Sequence, residues 1–569
     1  MTETEEAWGH HCLPNKVGFF YHWGSTEILG LCQAYDIMKI NEFMDRKRVL
    51  DDMIENDGQR FRFSEAPVWE WQRAYYEQQG LQAWTDNQVP QYITSNPMIA
   101  TAYAEMIFGF LQDLAAKGQT SETVTILELG AGVGRLAFQI VTKLCELRDY
   151  AAITLPSFRY VMTDLAADNV TGWRNHPSMQ PLIQQGLLDF AQFDAMQDTE
   201  LNLTEAGTVI RPGELGQPIL IIANYFFDSI PQELIYVGEG QIFECDVTIS
   251  NADVSTNLQP NEMLKNMELS YAYRPAPEYS KPDFPYRDLI SLYQEELEDS
   301  HILFPAAGLA CLERLETLSQ SGFVLITADK GDHRLDHWKF AEPPEFVLHG
   351  SFSLTANYHA IQHVFEQRGA YVRFTSHHYK DLNIGCMLMV EEPISYVNIR
   401  LAYLREIERF GPDDFFSIKE WFDHQLSRME LKQLLPFWRL GRYDAEFLIH
   451  SAQRISDLLP EASDEEMLDI QHGIQSMWSS YYTMDQMGDI AFLAGQLLNE
   501  MGLYEDAKHF LELALEADGV KRSSAVLYDL AVCCYELELE NEALSYTREV
   551  LVMEPDHEEA RSLLQSLEG

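Results

Sequence analysis

Apolar residues cluster in short runs along the first two thirds of the chain. Val124–Leu129 is one such run, and it ends in three glycines spaced two apart, Gly130, Gly132 and Gly134. Leu136 to Leu147 follows with apolar residues at helical spacing. The pattern predicts a buried strand, a tight glycine loop and a helix. Further runs predict strands at Phe158–Leu165, Leu187–Ala195, Pro218–Phe226 and Gly322–Ala328. Tyr371–Thr375 and Cys386–Glu391 suit the last two strands. Strands that alternate with helical stretches imply an α/β fold on a parallel sheet, here a seven-stranded Rossmann-like one.

About 90 residues separate the fourth strand from the fifth, far more than a short loop needs. Residues 233–320 therefore read as an insertion on the substrate side. Tyr271, Tyr273, Tyr279, Tyr286 and several prolines give part of it an irregular, aromatic character. It suits a lid, a peptide groove or plain packing. Residues 1–115 read as a helical cap packed on the sheet domain, with Trp69, Tyr75 and Tyr76 as an aromatic core stripe. The sheet domain spans 116–395 and a helical connector 396–480. Residues 481–569 read as tetratricopeptide (TPR)-like hairpins, with Gly495, Gly502, Tyr504, Ala507, Leu511 and Ala514 at small and apolar positions of the first. Ala531, Ala543, Val550 and Pro555 fill the second, and Leu440, Gly441 and Tyr443 mark a degenerate third. Such an array offers a concave surface for a protein partner, or serves only stability.

The candidate chemistry sits at the strand ends. Glycines let backbone N–H groups approach a ligand without a Cβ in the way. The spacing here is G-x-G-x-G, not the G-x-G-x-x-G of dinucleotide sites, with Glu128 two residues before it and Arg135 just after. Asp164 ends the second strand, where a carboxylate can accept both hydroxyls of a ribose. Taken singly, Asp164 and Asp194 each read as a helix N-cap. The fourth strand ends in Asn224 and Tyr225, followed by Asp228, offering an amide, a phenol and a carboxylate where an acceptor would sit. Tyr225 and Phe226 read equally as packing.

The glycine loop with Glu128 resembles motif I of class I S-adenosylmethionine (SAM) methyltransferases. That resemblance implies SAM as cofactor, Glu128 near its methionine part, Asp164 on its ribose, Asp194 on the adenine amine, and the last two strands, Tyr371–Thr375 and Cys386–Glu391, running antiparallel. Asn224–Pro231, NYFFDSIP, resembles the NEFFDALP-type segment of the MidA family, which includes the mitochondrial arginine methyltransferase of respiratory complex I assembly. Tyr92–Pro97, YITSNP, ahead of Phe108 and Gly109, is similar to that family's TSPE segment. Gln232–Ile249 is similar to its following strand pair. The likeness spans about 90 to 390, with breaks. It implies that Tyr92, Thr94 and Ser95 close over the cofactor; alternatively Thr94 or Ser95 caps the next helix. It also implies an arginine acceptor, oriented by Asp228 and Glu233. The family's Glu is Tyr225 here, its Pro-Glu is Asn96-Pro97, and its Asp-Tyr-Gly is Asp329-Lys330-Gly331. These departures bear on the acceptor more than on the cofactor.

Charge and composition narrow the rest. The chain has 569 residues, with 40 basic against 89 acidic and a formal charge of −49. That excludes nucleic acid, which needs basic patches, and suits solubility or a basic protein partner. Eight cysteines show no C-x-x-C, so neither zinc nor a redox pair is expected. Adjacent Cys533 and Cys534 read as buried thiols of a reducing, cytoplasmic setting. His333 and His337 are spaced as metal ligands on a helix but have no third partner, so no metal is expected. His349 borders the pocket or, like His359, His377 and His378, is structural. The amino-terminal residues lack the apolar core of a signal peptide. No run reaches the roughly 18 apolar residues of a membrane span. The expected function is a SAM-dependent methyltransferase acting on a protein side chain. The alternatives are a small-molecule methyltransferase and a non-catalytic scaffold that binds partners through its helices.

Overall fold

The structure is a computed structural model that describes residues 59–85, 89, 91–251, 259–377, 382–483, 487–516 and 523–568. The chain divides into two units, Met1–Gln59 and Arg60–Gly569. All elements below belong to the second, so most of the expected amino-terminal cap, residues 1–58, lies outside the described residues.

In chain order the strands used here are β1 (Arg60–Arg62), β2 (Val124–Leu129), β3 (Phe158–Asp164), β4 (Leu188–Gln192), β5 (Ile219–Asn224) and β6 (Glu233–Gly238). They continue as β7 (Gln241–Asn251), β8 (Met267–Pro275), β9 (Ser300–Phe304), β10 (Phe323–Asp332), β11 (Tyr371–Phe374) and β12 (Leu382–Met389). The helices are α1 (Pro67–Gln79), α2 (Gln82–Thr85), α3 (Pro97–Ala116), α4 (Arg135–Ala151), α5 (Ala167–Asn175) and α6 (Val397–Tyr403) among those that frame the sheet.

The central sheet runs β11-β12-β10-β5-β2-β3-β4, and Ala356–Asn357 adds a short pairing at the end of β10. Neighbours from β10 to β4 are parallel. β12 is antiparallel to both β10 and β11, so β11 points the same way as the other strands. The expectation that both last strands run antiparallel is therefore corrected: only β12 reverses. The continuous apolar runs have a physical reason. In β5, Ile219, Ile221 and Ala223 face one core, while Leu220 and Ile222 face the other. A sheet covered on both faces leaves no polar side for alternation to show.

One face is covered by α3, α4 and α6, and the core on the other is shared by the helices Ala306–Glu316 and Tyr358–Gln367 and a second sheet. That second sheet is the insertion. β8, β7, β6 and β9 pair antiparallel, and β1 lies end to end with β6 along the same edge of β7. The expected irregular character is corrected. Tyr271 and Tyr273 stand two apart on β8 and so share one face, which is a strand signal. Only Tyr279 and Tyr286 fall in turns after it. Within this sheet Glu244 is fully buried against Arg62 at 3.3 Å, and burial pushes its carboxyl up to about 7.

The carboxy-terminal third is helical throughout its described residues. It comprises α7 (Pro412–Gln425), α8 (Leu431–Leu440), α9 (Ala445–Leu458), α10 (Asp464–Ser479), α11 (Met487–Glu500), α12 (Tyr504–Glu516), α13 (Ser524–Glu536), α14 (Glu540–Met553) and α15 (Glu558–Glu568). α11 and α12 form one hairpin and α13 and α14 another. A Cβ on Gly495 would stand 2.7 Å from Leu511 Cγ, so the small residue sets how closely the first hairpin packs. Phe422 and Phe437 stack at 3.8 Å in the core shared by α7 to α13. Met98 of α3 enters the same core and ties it to the sheet domain. The six described cysteines are free thiols, Cys533 and Cys534 among them and fully buried.

Candidate functional site

The glycine loop needs all three glycines in the left-handed region, at φ of 66° for Gly130, 55° for Gly132 and 88° for Gly134. Their jobs differ. A Cβ on Gly130 would meet nothing within 4 Å and would project into open space. One on Gly132 would touch Trp84 at 3.4 Å. One on Gly134 would strike Met162 Cε at 2.8 Å and Met179 Cε at 2.9 Å, so Gly134 is a packing position that starts α4. The loop is pinned from outside: Trp173 Nε1 donates to Gly132 O at 2.9 Å, and Tyr482 Oη to Val133 O at 2.8 Å.

In front of this loop, at the carboxyl ends of β2, β3 and β5, lies a cavity of about 370 Å³. Of the residues expected at a site, it brings together Glu128, Gly130, Gly132, Arg135, Asp164, Asp194, Thr94, Ser95, Asn224 and Tyr225. It leaves out Gly134, Tyr92 and Asp228.

Glu128 is buried at the end of β2 and accepts a hydrogen bond from Tyr160 Oη at 3.1 Å. Burial, with a smaller contribution from the charge of Asp164, pushes its carboxyl up to about 8. Asp164, at the end of β3, is raised by burial too, and the Ala166 N–H at 3.1 Å opposes that shift. Asp194 is held in its turn by the Met196 N–H at 2.9 Å and paired with Arg73 at 2.6 Å. The amide of Asn224 is fixed at both ends: Oδ1 accepts from Tyr103 Oη at 2.8 Å, and Nδ2 donates to Thr94 O at 3.3 Å. Tyr225 adopts φ of 48°, a left-handed backbone rare for an aromatic, and lines the cavity. Burial raises its phenol.

The segment expected to cover the loop differs from the expectation in two details. The cap of α3 is Asn96, whose Oδ1 accepts from Met98 N at 3.0 Å and Ile99 N at 3.1 Å; neither Thr94 nor Ser95 caps it. Pro97 follows at the first helical position, where its missing N–H costs nothing. Tyr92 turns away from the cavity and donates to the carboxylate of Asp444. Ser95 faces the cavity, and its Oγ accepts from Arg135 Nη2 at 2.9 Å.

Asp228 is buried beneath the fourth-strand segment beside Asp329, and each has an Oδ1 without a hydrogen-bond partner. Tyr358 Oη donates to Asp329 Oδ2 at 2.5 Å. Burial, and then the charge of Asp329, raise the Asp228 carboxyl well above its ordinary range. Glu233 belongs to the second sheet, paired with Arg62 at 3.0 Å. His349 sits on a small hairpin outside the cavity lining, with its titration lowered by burial. His333 contacts Asn383 at 3.1 Å, and His337 lies 3.4 Å from Asp332. Tyr293 and His359 lie 3.0 Å apart, and His377 stands 3.3 Å from Asp414. His378 is outside the described residues. Among the described residues no group of three potential ligands could hold a metal.

The cavity residues that the sequence reading did not place at a site include several from α1 and α2, Trp69 and Tyr76 having been read as core. Trp69, Glu70, Gln72, Arg73, Tyr76 and Trp84 all line the cavity. Tyr76 stacks on Trp84 at 5.6 Å. Their signal lies in spacing: Trp69, Gln72, Arg73 and Tyr76 share one helical face, and that face mixes aromatic with polar residues as a purely structural stripe does not. Val68 and Tyr75 are core residues of this helix. No helix among the described residues is long and apolar enough to cross a membrane.

No family model matches the chain, and no curated protein matches it. Two solved structures from Burkholderia thailandensis are similar to it. One, an uncharacterized COG1565 superfamily protein, is 16% identical with a TM-score of 0.36, over 58% of this chain and 77% of its own. The other, a COG1565 superfamily member bound to S-adenosyl-homocysteine, is 14% identical with a TM-score of 0.38, over 63% of this chain and 94% of its own.

Proposed function

We propose that this chain is a SAM-dependent methyltransferase whose cofactor lies in the 370 Å³ cavity before the glycine loop. The observation that carries the reading is the position of that loop. From β2 the chain moves outward through β3 and β4, then returns to the other side of β2 as β5 and continues to β10. The crevice at such a reversal is where open α/β sheets take ligands. Here it holds glycines in left-handed conformation and carboxylates at two neighbouring strand ends.

The residues fit the group. The open side of Gly130 leaves room for a ligand to touch the backbone. Asp164 suits the two hydroxyls of a ribose, and Glu128 and Arg135 suit an amino acid's ammonium and carboxylate. Asp194 reaches the same cavity from the β4 turn, although Arg73 and the turn amide already occupy its carboxylate. When bound, the cofactor supplies an electrophilic methyl on a sulfonium. The chain's own task is to orient an acceptor and exclude water. Trp69, Tyr76, Trp84 and Tyr225 supply apolar walls for that, and the doubly anchored Asn224 supplies a fixed amide.

The finer reading is a protein side chain as acceptor, with arginine following from the MidA resemblance. The helical hairpins after residue 487 support a macromolecular partner, whether or not they are TPR repeats. Asp228 and Glu233 lie outside the cavity, so a guanidinium would have to be oriented by a carboxylate that lines it, such as Glu70. Titration calorimetry with S-adenosylhomocysteine tests the core of the proposal. Binding by the wild type, lost in Asp164→Ala with the fold retained, is the expected result. No binding by folded wild type overturns it.

A further inference from the structure

A second cavity of about 400 Å³ lies between the sheet domain and the carboxy-terminal helices. Gln91, Ser95 and Arg135 line both cavities and so form their shared wall. On the far side of that wall stands Asp444, 7% exposed, just before α9. Its backbone is fixed from the helical core, because Trp438 Nε1 donates to Asp444 O at 2.9 Å. Its carboxylate accepts from Tyr92 Oη. The guanidinium of Arg135 lies 5.8 Å from the centre of the Tyr92 ring and donates to Ser95 at 2.9 Å. Asp444 is also the foremost negative charge offsetting the burial of Arg135. A buried cation that loses such a partner is costly and tends to move toward water. A continuous line of contact thus runs from the core of the carboxy-terminal helices to the first residue after the glycine loop. A parallel contact supports the loop itself: Tyr482, stacked on His176 at 4.2 Å, holds Val133 O.

We propose that Asp444 is a positioning residue for the cofactor cavity, holding Tyr92 and Arg135 against the glycine loop, so that the carboxy-terminal helices are part of the cofactor site. The inference rests on the methyltransferase reading and goes beyond it, because it gives those helices a role inside the chemistry of the chain as well as toward any partner. Asp444 touches neither cofactor nor acceptor; it acts through Arg135.

The test is a double-mutant cycle on the full chain, read as S-adenosylhomocysteine affinity by calorimetry. Asp444→Asn keeps the shape and removes the charge. It is expected to weaken binding about tenfold, and Arg135→Gln to weaken it at least as much. The double variant should bind no more weakly than Arg135→Gln alone, since a residue that acts through Arg135 has nothing left to position. A merely structural role would multiply the two losses. Tyr92→Phe removes only the hydroxyl that reaches Asp444, and it carries the test if Asp444→Asn does not fold. Its expected loss is about threefold. Wild-type affinity in the single variants, or losses that multiply, overturns the inference while the methyltransferase reading stands. A wild type that binds no S-adenosylhomocysteine overturns both.

Discussion

Glu128 illustrates how one residue's burial becomes a property of the molecule. Its carboxyl titrates near 8 in the folded chain against an ordinary 4.5. Between those values the folded state holds a proton that the unfolded state has released, so this contribution is fully present below about 4.5 and is lost as pH rises through 8. Glu128→Gln, neutral at every pH, removes that slope. Thermal melts are expected to show the variant gaining on the wild type from pH 5 to pH 8; a constant difference would mean that Glu128 is ionised in the fold at neutral pH. Gly134 carries a different burden, since its φ of 88° strains any side chain and a Cβ would have to displace the Met162 and Met179 methyls in a buried core. Gly134→Ala is expected to lose about 2–4 kcal/mol in urea denaturation. Gly130→Ala, with open space ahead of it, should lose only the backbone part, about 1–2 kcal/mol. The sequence marks all three glycines alike. Only the packing separates the one that faces the cavity from the one that holds a helix against its strand.

At the scale of elements, the crossing of α3 and α6 shows what spacing can and cannot foretell. A Cβ on Gly109 would stand 2.8 Å from the backbone of Asn398 and Ile399. One turn on, buried Asp113 accepts the Asn398 and Ile399 N–H groups at 3.0 Å each and so caps α6 from another helix. Asp113→Ala leaves those amides buried and unmet. It should cost about 1–3 kcal/mol, with hydrogen exchange rising first at residues 397–403. Unchanged exchange there would show that α6 needs no borrowed cap. Helix α3 was legible only as a helical run after Pro97, since 15 of its 20 residues are buried and leave little periodicity, whereas the strands of the central sheet stood out as apolar runs. A cap supplied from hundreds of residues away leaves no local pattern. The same holds for α1: its periodicity announced a helix, but which face looks onto a cavity depends on what stands opposite. In the insertion, the strand pair within Gln232–Ile249 was legible by resemblance, while the alternation of Tyr271 and Tyr273 on the next strand was read as irregular chain.

For the whole molecule the dominant fact is its charge of −49. Like charges at this density oppose compaction, and salt screens them over about 10 Å at 0.1 M. The melting temperature is expected to rise by a few degrees between about 0.05 and 0.5 M sodium chloride; a fall would mean that ion pairs, not repulsion, govern the surface. The change from strand runs to helices along the chain was legible because the hydrophobic period changes with it. The joint at Asp444, Tyr92 and Arg135 was not, since no period links residues so far apart. A similar joint ties the two ends of the sheet domain together, where β1 pairs with residues 246–248 of β7. Roughly 190 residues separate the partners, so at a synthesis rate of about 5–20 residues per second β1 leaves the ribosome some 10–40 seconds before its partner exists. Until then it has no strand to join. The second sheet thus closes only after β7 is made, and that stretch of β7 is an open edge until β1 pairs with it.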